Sequence, residues 1–240
     1  MSRGILPVVG FNRRFSGTGA WNMGIPLEME REEVAAIMRR LYRQGLTTAA
    51  GGNVSLRCGK SVLLTPSGTD KGEITAEQVG ILTLDGENLT PHLKPSMEAA
   101  MHLEVLRARP DANAVVHAHP VTAAAFAAMD LDIDCRLTAE AFLLIGTPVR
   151  APYALMGTKA LALAAGDAVL KGDAVLLENH GVLTVGESLL QAFDRLEVLE
   201  AAARMTWITL SLGRGTPLGE DRTEEILRTF RVKQGRPGKN

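Results

Sequence analysis

The sequence predicts an α/β chain, because segments with helical spacing alternate with short β-like runs bounded by turn residues. Two stretches carry this most directly. From Glu28 onward Val34, Ile37, Met38 and Leu41 recur at helical intervals, with acids early and arginines late, as the helix dipole favours. Much later, Val175-Leu-Leu-Glu-Asn and Val182-Leu-Thr-Val flank Asn179-His180-Gly181, the pattern of two strands around a turn.

The elements follow in order. Residues 1–25 mix Gly, Arg, Asn and Ser with scattered hydrophobes and read as an N-terminal arm. Gly45 closes the first helix. Short strands are expected at 53–57, 61–64 and 81–84, the last before an Asp85-Gly86 turn. A helix is expected from Pro95-Ser96 to Arg107, where Pro110 stops it, and then a strand over 112–117. Helices are expected over 121–129, 159–165 and 189–212, and a short one near 224–230. Residues 26–232 read as a single domain without internal repeats, and 233–240 as a disordered tail.

Composition narrows the function classes. Of 240 residues, 46% are apolar and 22% charged, and a net charge of -1 without blocks of like charge speaks against a nucleic-acid or membrane-surface binder. A small-molecule partner is expected instead. No apolar run approaches the roughly 18 residues of a membrane-spanning helix. The first residues lack an uninterrupted apolar region, so a cytoplasmic location is expected. Cys58 and Cys135 belong to no CxxC pair and read as buried thiols.

The chemistry centres on histidine. His117 and His119 stand one residue apart at the end of an apolar run, where the two-residue period of a strand points both rings to one face and Ala118 away. With His180 in the later turn they suggest three neutral imidazoles around a divalent ion, leaving a position for a substrate oxygen. A cupin would want a compact all-β chain, and an amidohydrolase barrel more chain and eight βα units. Glu98 is the acid–base candidate, although acids in a first helical turn commonly serve only the dipole. His102, one turn later, suits packing or support of the site rather than ligation, and His92 suits the surface. Gly51-Gly52-Asn53-Val-Ser, Thr65-Pro-Ser67-Gly68-Thr and Pro95-Ser96 offer glycine turns and hydroxyls that can cradle an anion. No GxxxxGK[ST] nucleotide loop is present.

Taken in order, Gly52-Asn53-Val-Ser, Thr65-Pro-Ser-Gly, Lys94-Pro-Ser-Met-Glu98, His117-Ala-His119 and Glu178-Asn-His180-Gly resemble the class II aldolase/adducin family, and within it the zinc-dependent sugar-phosphate aldolases. The resemblance runs from about residue 30 to 212. It implies a three-layer αβα fold around a mainly antiparallel sheet, and a homotetramer with active sites near subunit interfaces. It further implies one Zn2+ per subunit on His117, His119 and His180, proton transfer by Glu98, and substrate phosphate against Gly52, Asn53, Ser67, Gly68 and Ser96. The implied reaction is reversible cleavage of a ketose 1-phosphate to dihydroxyacetone phosphate and an aldehyde through a metal-stabilised enediolate.

The chain departs from the pattern twice. Met97 stands where the aldolases often carry a second serine, and Thr138 stands where a tyrosine is used near the aldehyde, with Tyr153 lying later. Related chemistries in the family are sugar-phosphate epimerisation, dehydration of methylthioribulose 1-phosphate and decarboxylation, and a non-catalytic adducin-like interaction module is a further alternative. Glu98 favours aldolase over epimerase, and the retained histidines oppose the non-catalytic reading.

Overall fold

The computed structural model describes residues 27–213 and 215–234. The expected arm, including Phe11, Phe15 and Trp21, lies outside the described residues, as does the tail from 235 onward. The helices are α1 (Glu28–Arg43), α2 (Ala99–Ala108), α3 (Val121–Ala127), α4 (Ala139–Leu144), α5 (Lys159–Val169), α6 (Leu189–Leu212) and α7 (Glu220–Gln234). The strands are β1 (Asn53–Cys58), β2 (Ser61–Leu64), β3 (Gly80–Thr83), β4 (Ala114–Ala118), β5 (Val149–Ala151), β6 (Ala174–Leu177) and β7 (Gly181–Gly186).

The strands form one sheet in the order β3-β2-β1-β4-β7-β6-β5. Every neighbouring pair is antiparallel except β5 with β6, which is parallel. Strand alternation sorts the core into two layers. Val54, Leu63, Ala114, Val116, Ala118, Leu176 and Val182 pack with α1, α3 and α6. Val62, Leu64, Val115, Val175, Leu177, Leu183 and Val185 pack with α2 and α5 on the opposite face. Helices on both faces of a mostly antiparallel sheet make the three-layer αβα architecture expected above.

Several boundaries differ from the sequence reading for local reasons. α2 starts at Ala99 rather than Pro95, since the Ser96 hydroxyl accepts from the Glu98 backbone at 3.2 Å and 97–98 form a turn. α5 and α7 run longer than expected, while β5 and α4 are new. α6 keeps the expected bounds because the Ser188 side chain accepts from the Gln191 amide. At the sheet end away from the histidines, Asp173 bridges Arg109 at 2.8 Å and Arg195 at 2.7 Å, tying the entry to β4 and the entry to β6 to α6.

Candidate metal centre and substrate cleft

β1 begins at Asn53, β4 ends at Ala118 and β7 begins at Gly181, and these three strands are neighbours. Their ends therefore meet at one edge of the sheet. Asn53 pairs with His117 across β1 and β4, and His117 pairs with Leu183 across β4 and β7. The two-residue period sets His117 on the α2 face with Val115, while Ala118 joins the other layer. The β6–β7 turn returns His180 to the same edge through Asn179, held at φ 53.

Glycines let the pieces close. At Gly52, with φ +68, a Cβ would lie 2.8 Å from the His117 carbonyl, and at Gly181 one would lie 2.5 Å from His119 Cδ2. His117, His119 and His180 each present a ring nitrogen, all within 4.8 Å of one another. Glu98, 7% exposed, faces them, with Oε1 3.1 Å from His180 Nε2 and Oε2 3.3 Å from His117 Nε2.

The donor set fits a divalent cation. His117 Nδ1 donates to the Val182 carbonyl at 2.8 Å, so Nε2 keeps its lone pair. That nitrogen, His180 Nδ1 and Glu98 Oε1 are buried without hydrogen-bond partners. A lone pair and a carboxylate oxygen facing each other away from water call for a positive charge between them. Burial, with the neighbouring His117 and His180 rings, pushes the His119 imidazole down to about 4, leaving it neutral as a metal ligand must be. Burial alone would raise the Glu98 carboxyl. The Asn53 amide, donating to Oε2 at 2.8 Å, works the other way and favours the ionised carboxylate.

A cleft of about 600 Å³ opens onto these residues. Gly52, Asn53, Ser67, Gly68, Ser96, Glu98, His119 and His180 all line it, whereas His117 is fully buried behind its wall. The anion-type turns are stitched together, since Ser67 Oγ accepts from the Met97 backbone at 3.0 Å. Ser96 Oγ accepts from Asn53 Nδ2 and the Glu98 backbone, which leaves its O–H to donate. Both Asn53 amide protons are engaged inside the protein, by Glu98 Oε2 at 2.8 Å and Ser96 Oγ at 3.1 Å.

Sequence reasoning missed Lys71, the single lysine or arginine among the lining residues, which is 1% exposed and donates to the Pro66 carbonyl. Burial pushes its ammonium down to about 8. Asp70-Lys71-Gly72 looks like a surface turn, and nothing in its spacing betrays the burial. Met97 and Met156 also line the cleft, and Met97 leans on Gly157. Thr138 caps α4 through the Ala141 amide, Tyr153 is 60% exposed, and neither lines the cleft. His92 is exposed. Cys135 is buried and Cys58 half-buried, and burial raises both thiols to about 12. No helix among the described residues is long and apolar enough to cross a membrane.

Comparison with known proteins agrees with this arrangement. The chain is 38% identical over 207 residues to a 5-deoxy-D-ribulose 1-phosphate aldolase of Bacillus thuringiensis serovar kurstaki, covering 85% of this chain and 96% of that protein. It is 33% identical over 182 residues to a 3-oxo-tetronate 4-phosphate decarboxylase of Haemophilus influenzae, covering 73% and 86%. A solved L-fuculose 1-phosphate aldolase superposes with a TM-score of 0.78 at 29% identity, covering 84% of this chain and 95% of that one. The family model described as the Class II Aldolase and Adducin N-terminal domain matches residues 32–207. With its seven-stranded sheet and histidine triad at the sheet edge, the chain belongs to the class II aldolase/adducin family.

Proposed function

We propose that the protein is a metal-dependent aldolase that reversibly cleaves a ketose 1-phosphate into dihydroxyacetone phosphate and an aldehyde. The observation that carries this reading is the meeting, in one cleft, of the imidazole cluster and Glu98 with turns rich in glycine and hydroxyl groups. Held by His117, His119 and His180, a divalent ion, zinc in this reading, supplies Lewis acidity toward substrate oxygens. Glu98 moves the proton at C3 of the dihydroxyacetone phosphate half, removing it in condensation and returning it in cleavage. Ser67, Gly68, Gly52 and Ser96 hold the phosphate, with Lys71 as the nearby positive charge. Asn53 contributes by holding Glu98.

Met97 and Met156 give the cleft an apolar stretch of wall. This supports an aldehyde half without a terminal hydroxyl, in keeping with the 5-deoxy sugar named for one relative. The reading includes a homotetramer with active sites near subunit interfaces. The loop leading to Met156 exposes Tyr153 and Leu155, at 60% and 61%, which suits the approach of a neighbouring copy.

The decisive experiment loads purified protein with Zn2+ and offers ketose 1-phosphates, 5-deoxy-D-ribulose 1-phosphate and L-fuculose 1-phosphate among them, while following dihydroxyacetone phosphate release. Cleavage of at least one is expected. The decarboxylase relative favours a second reading on the same residues. Carbon dioxide release from a phosphorylated 3-oxo acid, with no ketose 1-phosphate cleaved, would establish that reading and sink the first.

A further inference from the structure

Behind Glu98 lies a chain of buried polar groups that touches neither the cation site nor the cleft at its far end. The Ser55 hydroxyl lies 2.7 Å from His102 Nδ1, and the other ring nitrogen of His102, Nε2, is hydrogen-bonded to Asn53 Oδ1. Asn53 Nδ2 then reaches Glu98 Oε2 and Ser96 Oγ. Ser55 and His102 are fully buried and Asn53 is 5% exposed.

Two periodicities bring these residues into line. Asn53 and Ser55, two apart on β1, share the face toward α2 and are separated by about 6.6 Å of strand rise. Glu98 and His102, four apart and joined by the His102 N–H to Glu98 carbonyl bond at 3.3 Å, are separated by about 6 Å of helical rise. The pairs therefore run side by side, Asn53 beside Glu98 and Ser55 beside the far nitrogen of His102.

The chain admits two hydrogen placements. In one, His102 carries its proton on Nε2 and donates to Asn53 Oδ1, Ser55 donates to Nδ1, and both Asn53 N–H groups point at Glu98 and Ser96. In the other, the Asn53 amide is turned over, and its carbonyl oxygen faces an ionised carboxylate oxygen at 2.8 Å. Two acceptors at that distance repel, so only the first placement suits an ionised Glu98. Burial also holds His102 neutral, down to about 3, as the first placement requires.

We propose that His102, held in its Nε2–H tautomer by Ser55, is a positioning residue that locks the amide of Asn53 and through it aims the Glu98 carboxylate. This deepens the aldolase reading, since it rests on Glu98 being the proton-transfer group. His102 does not touch substrate and binds no ion. Its effect is carried by the direction in which one amide faces.

Two side chains separate this role from simple core filling. In His102→Gln the terminal amide reaches about where Nε2 lies and can still donate to Asn53, whereas in His102→Asn the shorter amide reaches only the Nδ1 position. With Zn2+ stoichiometry matched, His102→Asn is expected to lower kcat about 10- to 100-fold, the range for lost support of a site residue. His102→Gln should recover most of that loss while KM for the ketose 1-phosphate changes little. Equal losses in both variants, or a fall tracking thermal stability alone, would overturn the proposal. Nitrogen-detected NMR on the wild-type holoprotein gives a second test that needs no turnover. It should show His102 neutral with the proton on Nε2, and an Nδ1–H or doubly protonated ring would also overturn the proposal. If the tautomer is as expected but no substrate of the panel is cleaved, the aldolase reading fails and the positioning chain stands.

Discussion

Replacing Glu98 with glutamine keeps the volume of the side chain beside His117 and His180 while removing its ability to take a proton. Glu98→Gln is expected to bind metal at wild-type stoichiometry and to lose about 10²–10⁴ in turnover, checked by metal analysis alongside steady-state kinetics. His180→Ala should instead lower metal occupancy, and unchanged stoichiometry would remove it from the ligand set. Lys71 sets a pH dependence. Its folded value, lowered from 10.5 to about 8, means the ammonium is present below pH 8 and lost above it. The affinity for inorganic phosphate should therefore fall as pH rises through about 8, and Lys71→Met should flatten that fall, as isothermal titration across the range would show. The histidines and Glu98 were legible in the sequence because their identities and spacing are themselves the signal. Lys71 and the Asn53–His102–Ser55 chain were not, since they depend on which side chains a strand and a helix happen to bring face to face.

Secondary elements carry their own predictions. The β6–β7 hairpin presses Gly181 against His119 and the Ala118 carbonyl, where a Cβ would fall at 2.5 and 2.7 Å. Gly181→Ala should displace the His119 ring and weaken metal binding as well as lower the melting temperature. Gly68, with φ +70 but open space around it, should cost stability and weaken phosphate binding when replaced by alanine, while metal stoichiometry stays unchanged. Long periodic elements such as α1 and α6 could be read with near-final bounds, because burial of one stripe dictates their spacing, Gly45 marks the end of α1 and Ser188 caps the start of α6. β5 escaped notice because three residues, Val149–Ala151, show no alternation to detect, and its pairing with β6 is purely tertiary. α4 is six residues long and rests on Thr138 as its cap, so its periodic signal is equally thin. α2 was misread at its start because Pro95-Ser96 resembles a helix entry, yet Ser96 serves Glu98 and Asn53 instead.

Across the whole molecule, one sheet with helices on both faces divides the work. The layer of α1, α3 and α6 holds the larger apolar cluster, including Phe193 at 0% exposure beneath the Arg40 guanidinium, 4.3 Å from the ring centroid. Phe193→Ala should cost about 3–5 kcal/mol of stability, measured by denaturant unfolding, with the metal site intact at low denaturant. The layer of α2 and α5 backs the site, and an ion bound there is expected to stabilise the fold. Chelating the metal is expected to lower the melting temperature, and restoring Zn2+ at about 100 times its dissociation constant should return about 2.7 kcal/mol. The overall layering was within reach of the sequence through family resemblance. The strand order was not, because β4 lies between β1 and β7 for reasons of long-range pairing that no local pattern records.

The hydrogen bond from His117 to the Val182 carbonyl has a consequence for how this centre can change over time. In a site where an aspartate side chain orients the ligand, a single codon can strengthen or weaken the metal's grip. In the proposed centre the group that orients His117 is main chain, and the Val182 carbonyl is present whatever side chain occupies position 182. A change of metal preference in that centre is expected to come through His119, His180 or the cleft, while the bond that orients His117 lasts for as long as β4 and β7 keep their register.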